Sequence, residues 1–314
     1  MVNEFLRHVG SGRLDAVEAM LAETPSLVNT IGPHPFWGGQ PQALHVAIET
    51  NRRDMVDLLL ARGADVNGTN DRYDHWSPLM LAIQRNRADL RDLLIARGAR
   101  IGLLEALMMA DDARVGELLR ADGLPAITPN GGSILAFART PFAIDQLLAL
   151  GAPTDMRDRW GSSPIDAMSR LGAHGRLLVD HMTARGIAAE PKHYARLDDQ
   201  ARLSTLIAAD PAIARRDEVM MAAVDFGHRG LVSWLLERGG NVNARSDWGS
   251  RQTALHSAAW NGDLEMVKLL AAAGADRAAR DAEHDNTPEG WAQVAIGVTN
   301  NPKCAEVAAF LKQA

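Results

Sequence analysis

The chain has 314 residues and a formal net charge of −6, which argues against general nucleic-acid binding, since that needs clustered cations to displace counterions. Its single cysteine, Cys304, excludes an intrachain disulfide and fits a reducing compartment. The opening residues Met1-Val2-Asn3-Glu4-Phe5-Leu6-Arg7-His8 carry an early acid and no long apolar run; they read as neither signal peptide nor membrane span, so the expected location is cytoplasmic.

Val2 to about Asn29 predicts two helices. Phe5, Leu6 and Val9 mark the first, Gly12 breaks it, and Leu14, Val17, Met20 and Leu21 follow the spacing of one apolar helical face. Thr30 to Gln40 is a long connection rich in Gly and Pro that also holds His34, Phe36 and Trp37. Pro41 to Asn67 predicts a second pair, and the connection Gly68 to Trp76 contains Asp71-Arg72-Tyr73-Asp74-His75-Trp76. Ser77 to Arg100 predicts a third. The middle is degenerate: Leu103 to Asp122 still reads as two helices, whereas Gly131 to Leu150 is compressed, with Phe137 and Ala138 in its first helix and Ile144, Leu147 and Leu148 in its second. Asp158-Arg159-Trp160-Gly161-Ser162-Ser163-Pro164-Ile165 restores the pattern to about Gly186, and Pro191 to Asp210 is another short pair. Glu218 to Asn243, Thr253 to Asp276 and a last pair from Thr287, ending on Val307, Phe310 and Leu311, complete the chain. The doubled leucines Leu59-Leu60, Leu93-Leu94, Leu235-Leu236 and Leu269-Leu270 are expected in the core.

Three of these segments repeat one another closely. Thr253-Ala254-Leu255-His256-Ser257-Ala258 leads through Leu269-Leu270 to Ala273-Gly274-Ala275-Asp276; Ala43-Leu44-His45-Val46-Ala47 leads through Leu58-Leu59-Leu60 to Arg62-Gly63-Ala64-Asp65; Ser77-Pro78-Leu79 leads to Arg97-Gly98-Ala99. This resembles the ankyrin-repeat family, whose repeat of about 33 residues carries a T-P-L-H-x-A signature. The resemblance implies an all-α solenoid of about ten stacked helix-turn-helix repeats with finger loops, in one domain over 1–314. Residues 1–29 are expected as the N-terminal capping repeat, 41–286 as central repeats, degenerate around 101–215, and 287–314 as the C-terminal capping repeat. The strong excess of Arg over Lys we read as the coding bias of a bacterial genome.

In this family the fingers and the ends of the first helices line a concave groove, so the resemblance points to Glu49, Arg85 and Asn261 as groove positions and implies a binding scaffold. Trp37, Tyr73, Trp76, Arg159, Trp160, Phe226, Trp248, Arg251 and Trp260 are the expected binding residues, because large aromatic and Arg side chains supply most of the energy at interface hot spots. His45 and His256 stand where the family's histidine is a hydrogen bonder between repeats. No G-x-S-x-G, G-x-x-x-x-G-K-[ST], H-E-x-x-H or Cys-His zinc spacing occurs, so no cofactor and no metal are expected. Acid–base chemistry remains open if loops converge, and its candidates are Asp74, His75, Asp158, Asp225, Asp247 and His284. The reading is a binder of a protein or peptide partner, with no nucleic acid and no membrane. The alternatives are a binder of a small polar ligand or carbohydrate, and a hydrolase or lyase working in an aromatic-lined groove.

Overall fold

The computed structural model describes residues 1–36, 38–73, 75–125, 128–247, 249–299 and 301–313. The chain divides into two compact units, Met1–Ala167 and Met168–Ala314, each built from short antiparallel helix pairs. Among the described residues there is no β-strand beyond an isolated bridge between Arg245 and Thr253.

In the N-terminal unit the pairs are α1 (Val2–Ser11) with α2 (Leu14–Glu23), α3 (Ala43–Glu49) with α4 (Arg53–Ala61), α5 (Pro78–Gln84) with α6 (Ala88–Ala96), and α7 (Leu103–Met108) with α8 (Asp112–Asp122). A single turn of 3-10 helix, Ile134–Phe137, then precedes α9 (Pro141–Ala149), and α10 (Pro164–Ser169) lies across the division between the units. The C-terminal unit continues with α11 (Gly172–Ala184), α12 (Pro191–Arg196), α13 (Gln200–Ala209), α14 (Asp217–Asp225), α15 (Arg229–Leu236), α16 (Ala254–Trp260), α17 (Leu264–Ala272), α18 (Pro288–Thr299) and α19 (Lys303–Lys312).

Helices of seven to ten residues are too short to persist alone, so packing must hold them. Phe5, Leu6 and Val9 of α1, Leu44 and Ile48 of α3, Leu79 of α5 and Leu90 and Leu94 of α6 belong to one buried cluster in the N-terminal unit. Val219 to Val224 of α14, Leu255 of α16, Leu270 of α17 and Val307 of α19 belong to another in the C-terminal unit. Of each doubled leucine, Leu59, Leu94, Leu235 and Leu270 are fully buried, while Leu60, Leu93, Leu236 and Leu269 are half-buried. Adjacent residues point about 100° apart on a helix, so only one of two neighbours can face the core.

Polar bonds stitch each pair to the next. Asn29 donates to the carbonyl of Gly63 at 3.0 Å and accepts from the amide of Asp65 at 2.8 Å. Asn67 repeats both contacts with Gly98 and Arg100, and Asn243 accepts from the amide of Asp276. The exit from α4 runs through Gly63 at φ 87°, a left-handed conformation that costs other residues energy.

The compressed repeat departs from expectation. Phe137 lies in the 3-10 turn, but Ala138 is extended and caps it, so no full first helix forms. Thr140 caps α9 through the amide of Ala143, and Pro141 occupies its first position. A residue before proline is driven out of the helical region, so Thr140 is extended and the chain leaves the helical path at Ala138.

The turns inside seven helix pairs also use a left-handed residue: Gly12, Asn51, Asn86, Asp198, Gly227 or Gly262, but Ala110 (φ 58°) between α7 and α8. Alanine has neither the freedom of glycine nor the local hydrogen bonding of Asn or Asp. Ala110→Gly should therefore stabilise the chain by about 0.5–1 kcal/mol, seen as a higher urea midpoint; an unchanged or lower midpoint would contradict this.

Candidate functional site

The long connection between the first two pairs folds back on itself. Gly32 donates its amide to the carbonyl of Pro41 and His34 donates its amide to that of Gly39. These bonds turn the His34 side chain inward, where it is fully buried. The Phe36 amide donates to His34 Nδ1 at 3.2 Å, which assigns the ring proton to Nε2. His34 Nε2 lies 3.0 Å from Oε2 of Glu49, whose side chain is only 1% exposed at the end of α3. Arg85, at the end of α5, donates to Glu49 Oε1 at 2.7 Å. Burial alone would raise the Glu49 carboxyl, but hydrogen bonds from His34, Tyr73 and Arg85, with the Arg85 charge, outweigh it and hold the group at about 2. The result is a buried anchor, anionic at neutral pH, that fastens a loop to two helix ends. With both partners sealed from solvent, a substrate has no access to it.

Tyr73 is half-buried, edge-on to His45 at 5.5 Å. His45 Nε2 donates to the carbonyl of Trp76 at 2.8 Å, the inter-repeat bond expected of it. Burial lowers the His45 imidazole, against that bond and the Glu49 charge, so the ring stays neutral. Trp76 is 8% exposed and tilts against Phe137 at 6.3 Å, so its ring fills space between neighbouring elements rather than facing solvent. His75 is exposed, in a left-handed turn closed by its amide on the carbonyl of Asn70. Trp37, Asp74 and Trp248 lie outside the described residues.

The connection after α9 is a second fixed loop. Asp158 Oδ1 accepts the amides of Trp160 at 3.0 Å and Ser162 at 2.8 Å. Arg157 donates to the carbonyl of Gly161 at 2.7 Å. Arg159 donates to the carbonyl of Pro129 and lies 5.5 Å from the Trp160 ring centroid. Trp160 is 47% exposed, held out by a loop whose own carboxylate is committed to backbone amides.

In the C-terminal unit Asp225 ends α14. Crowding by protein raises its carboxyl, opposed by a hydrogen bond from Ser257 and by the charges of Arg196 and Arg170. The residue remains exposed at the end of the helix. Phe226 is half-buried and stacks on His228 at 6.4 Å, and His228 Nε2 donates to the carbonyl of Arg196. Trp260 is half-buried, edge-on to Trp291 at 5.7 Å. Asp247 and Arg251 are exposed, and the Arg251 carbonyl accepts from Arg245. His284 is exposed, with Nδ1 3.6 Å from Asp281 Oδ1.

Asp281 is the residue the sequence reading missed. It is buried and accepts the amides of Glu283, His284 and Asn286 and Nε1 of Trp291 at 2.9 Å. Burial would raise its carboxyl, but those four donors hold it far below the usual carboxylate range. The available signal was positional, since Asp281 precedes Thr287-Pro288 much as Asp158 precedes Ser163-Pro164. His34, Glu49 and Arg85 stood among the finger and helix-end positions, but nothing in their spacing brings them together.

Within the N-terminal unit His75 and Asp158 are neither hydrogen-bonded nor ion-paired to each other, and the same holds among Asp225, Asp247 and His284 in the C-terminal unit. Among the described residues no three His, Cys, Asp or Glu side chains are grouped as metal ligands, and no helix is long and apolar enough to cross a membrane.

The Glu49 anchor makes stability depend on acid. A carboxyl whose folded pKa is depressed contributes stability above its unfolded value, near 4.5, and that contribution fades as pH falls towards about 2. Glu49→Gln should therefore be less stable than the parent chain at pH 6, with the gap closing between about pH 4.5 and 2. Denaturant titrations of both chains across that range check this; a gap independent of pH would contradict it.

A family profile described as Ankyrin repeats (3 copies) matches residues 6–104 and 193–281. Comparison with curated proteins yields no match.

Proposed function

The chain belongs to the ankyrin-repeat family, and we propose that it is a scaffold that binds a protein or peptide partner through the loops between its helix pairs and the ends of its first helices. Ankyrin repeats are in general modules of protein–protein contact. The observation that carries the reading is the loop of Arg159 and Trp160. An aromatic ring left 47% exposed contributes little to the fold of a free monomer, yet the backbone beneath it is pinned by Asp158 and Arg157. Pinning removes ordering entropy in advance, so more of the contact energy of a bound ring appears as affinity. Trp and Arg are also among the residue types enriched at interface hot spots.

Phe36, 52% exposed on the fixed loop over α1, supports the same reading. The acids and imidazoles favour contact over catalysis. Asp158 and Asp281 are bound to backbone amides, and Glu49 is sealed beneath its loop.

The partner is to be captured from the native host with the tagged chain, identified, and titrated against variants. Trp160→Ala should weaken binding by about thirtyfold, the scale of an aromatic hot spot, and Asp158→Ala should weaken it less by loosening the loop. Circular dichroism of both variants should match the parent. Unchanged affinity in both, with the fold intact, would remove these loops from the interface.

A further inference from the structure

The first helices of five pairs end on equivalent residues, each two places before the left-handed residue of the turn: Gly10, Glu49, Gln84, Asp225 and Trp260. Gln84 and Asp225 are exposed and Trp260 is half-buried, but Gly10 and Glu49 are buried. What covers those two is the chain itself. A Cβ on Gly10 would come within 2.7 Å of the Phe36 ring, and His34 Nε2 lies 3.0 Å from Glu49 Oε2. Towards the start of α1, a Cβ on Gly32 would meet Val2 at 2.5 Å and Leu6 at 2.8 Å. Residues 30–36 therefore run along α1 and across the end of α3, over the strip that stays open at Gln84.

This segment has the features of a bound extended peptide. Gly32 and His34 are buried while Ile31 and Pro33 are exposed, the alternation of an extended chain laid on a surface. The amides of Gly32 and His34 donate to the carbonyls of Pro41 and Gly39, so the segment pairs with the returning arm of its loop as an added strand pairs with an edge. Pro33 and Pro35 stand at the alternate places. They carry no N–H, so neither leaves a donor on the outer edge, and they hold Gly32 and His34 in extended conformations. Recognition is concentrated in two side chains. His34 is fully buried against Glu49, and Phe36 lies over Gly10 yet is 52% exposed. A buried polar pair returns little beyond its desolvation, so such a contact is specific without being strong.

We infer that residues 30–36 are an internal ligand: they fill in cis a groove site that takes an extended segment, with an imidazole at Glu49 and an aromatic ring over Gly10, and so withhold the first two pairs from a partner until displaced. The partner that fits is an extended peptide carrying a donor side chain for the Glu49 carboxylate two residues ahead of an aromatic one. The inference deepens the scaffold reading and rests on it. Its test needs no partner from the host, so its failure leaves the Trp160 loop untouched, and failure at Trp160 leaves this site unaffected.

Hydrogen exchange of the full parent chain compares the amides of Gly32 and His34 with those of Val46 and Val56, which are bonded within the second helix pair. After correction for intrinsic rates, the first two should exchange at least about tenfold faster, by local opening of the segment. A smaller ratio makes the segment a fixed part of the fold and overturns the inference. A blocked peptide copying residues 30–36 is then titrated into the full-length His34→Ala/Phe36→Ala chain, followed by NMR through the amides of Gly10 and Glu49. Binding should saturate and be at least about tenfold tighter than to the parent chain, whose own segment competes at a high effective concentration. The same peptide with Ala in place of its His should bind at least about tenfold more weakly. Absence of saturation, equal affinity for parent and variant, or equal affinity of the two peptides would each overturn the inference. If the double variant misfolds, exchange in the parent chain decides alone.

Discussion

A helix pair in this chain has an apolar face on each side and can bury only one of them against itself. The contact with the next pair is therefore what every other feature depends on. Leu44 and Ile48 of α3 share their cluster with Phe5 and Leu6 on one side and Leu79 on the other, and Leu255 stands likewise between α14 and the closing helices. Apolar stacking is non-directional and tolerates sliding. The asparagines at the exits, Asn29, Asn67 and Asn243, and the buried His45 and His256 add directional bonds at each step. They fix the register that the leucines alone leave free.

Once the helices hold one another, the connections need not stabilise the fold, and they can carry unusual shapes. Three unusual connections are each held by a carboxylate: Glu49 beneath the first, Asp158 inside the loop after α9, Asp281 inside the loop before α18. The same chemistry operates in all three. An anion that accepts several N–H groups offsets its desolvation by hydrogen bonds, and at Glu49 and Asp281 the carboxyl is held down as a result. Strongly depressed carboxyls are often taken as marks of catalysis. Here Glu49 and Asp281 are depressed because they are structural, and the exposed acids Asp247 and Asp225 lack comparable partners.

The helix pairs were legible because their signals are local: apolar spacing, a glycine such as Gly63 at the exit, and proline at the start of α5, α12 and α18. The short helix expected at Phe137 and Ala138 failed for an equally local reason, the capping demand of Thr140 and Pro141. The loops were less legible because a side chain's environment depends on partners distant in the chain. Trp76 and Trp160 look alike in sequence, each a tryptophan just ahead of a Ser-Pro start. One is buried against Phe137 and the other stands in solvent. His34 reaches Glu49 and Arg85 only because two bonds within its own loop turn it inward.

Repetition supplies a comparison that a single globular core does not. The residue that opens each second helix meets the same backbone demand in every pair, so its chemistry can be read against its equivalents. Asp111, Asp199 and Asp263 answer that demand directly by accepting an amide of the first turn. His228 answers a different one, donating to the carbonyl of Arg196 in the preceding pair. Arg13, Arg52 and Arg87 answer neither by a side-chain cap. Arg52 reaches back over Gly12, where a Cβ would come within 3.2 Å of its guanidinium, so it works as a strut between turns. Arg87 lines a hollow beside the turn between α5 and α6, with its Nε shielded from solvent. The positive end of α6 is met instead by Asp89, an acid in its first turn. The same pairing recurs in α2 and α4, where Asp15 and Asp54 follow Arg13 and Arg52 by two residues, so an arginine at this position goes with a first-turn acid in place of a side-chain cap.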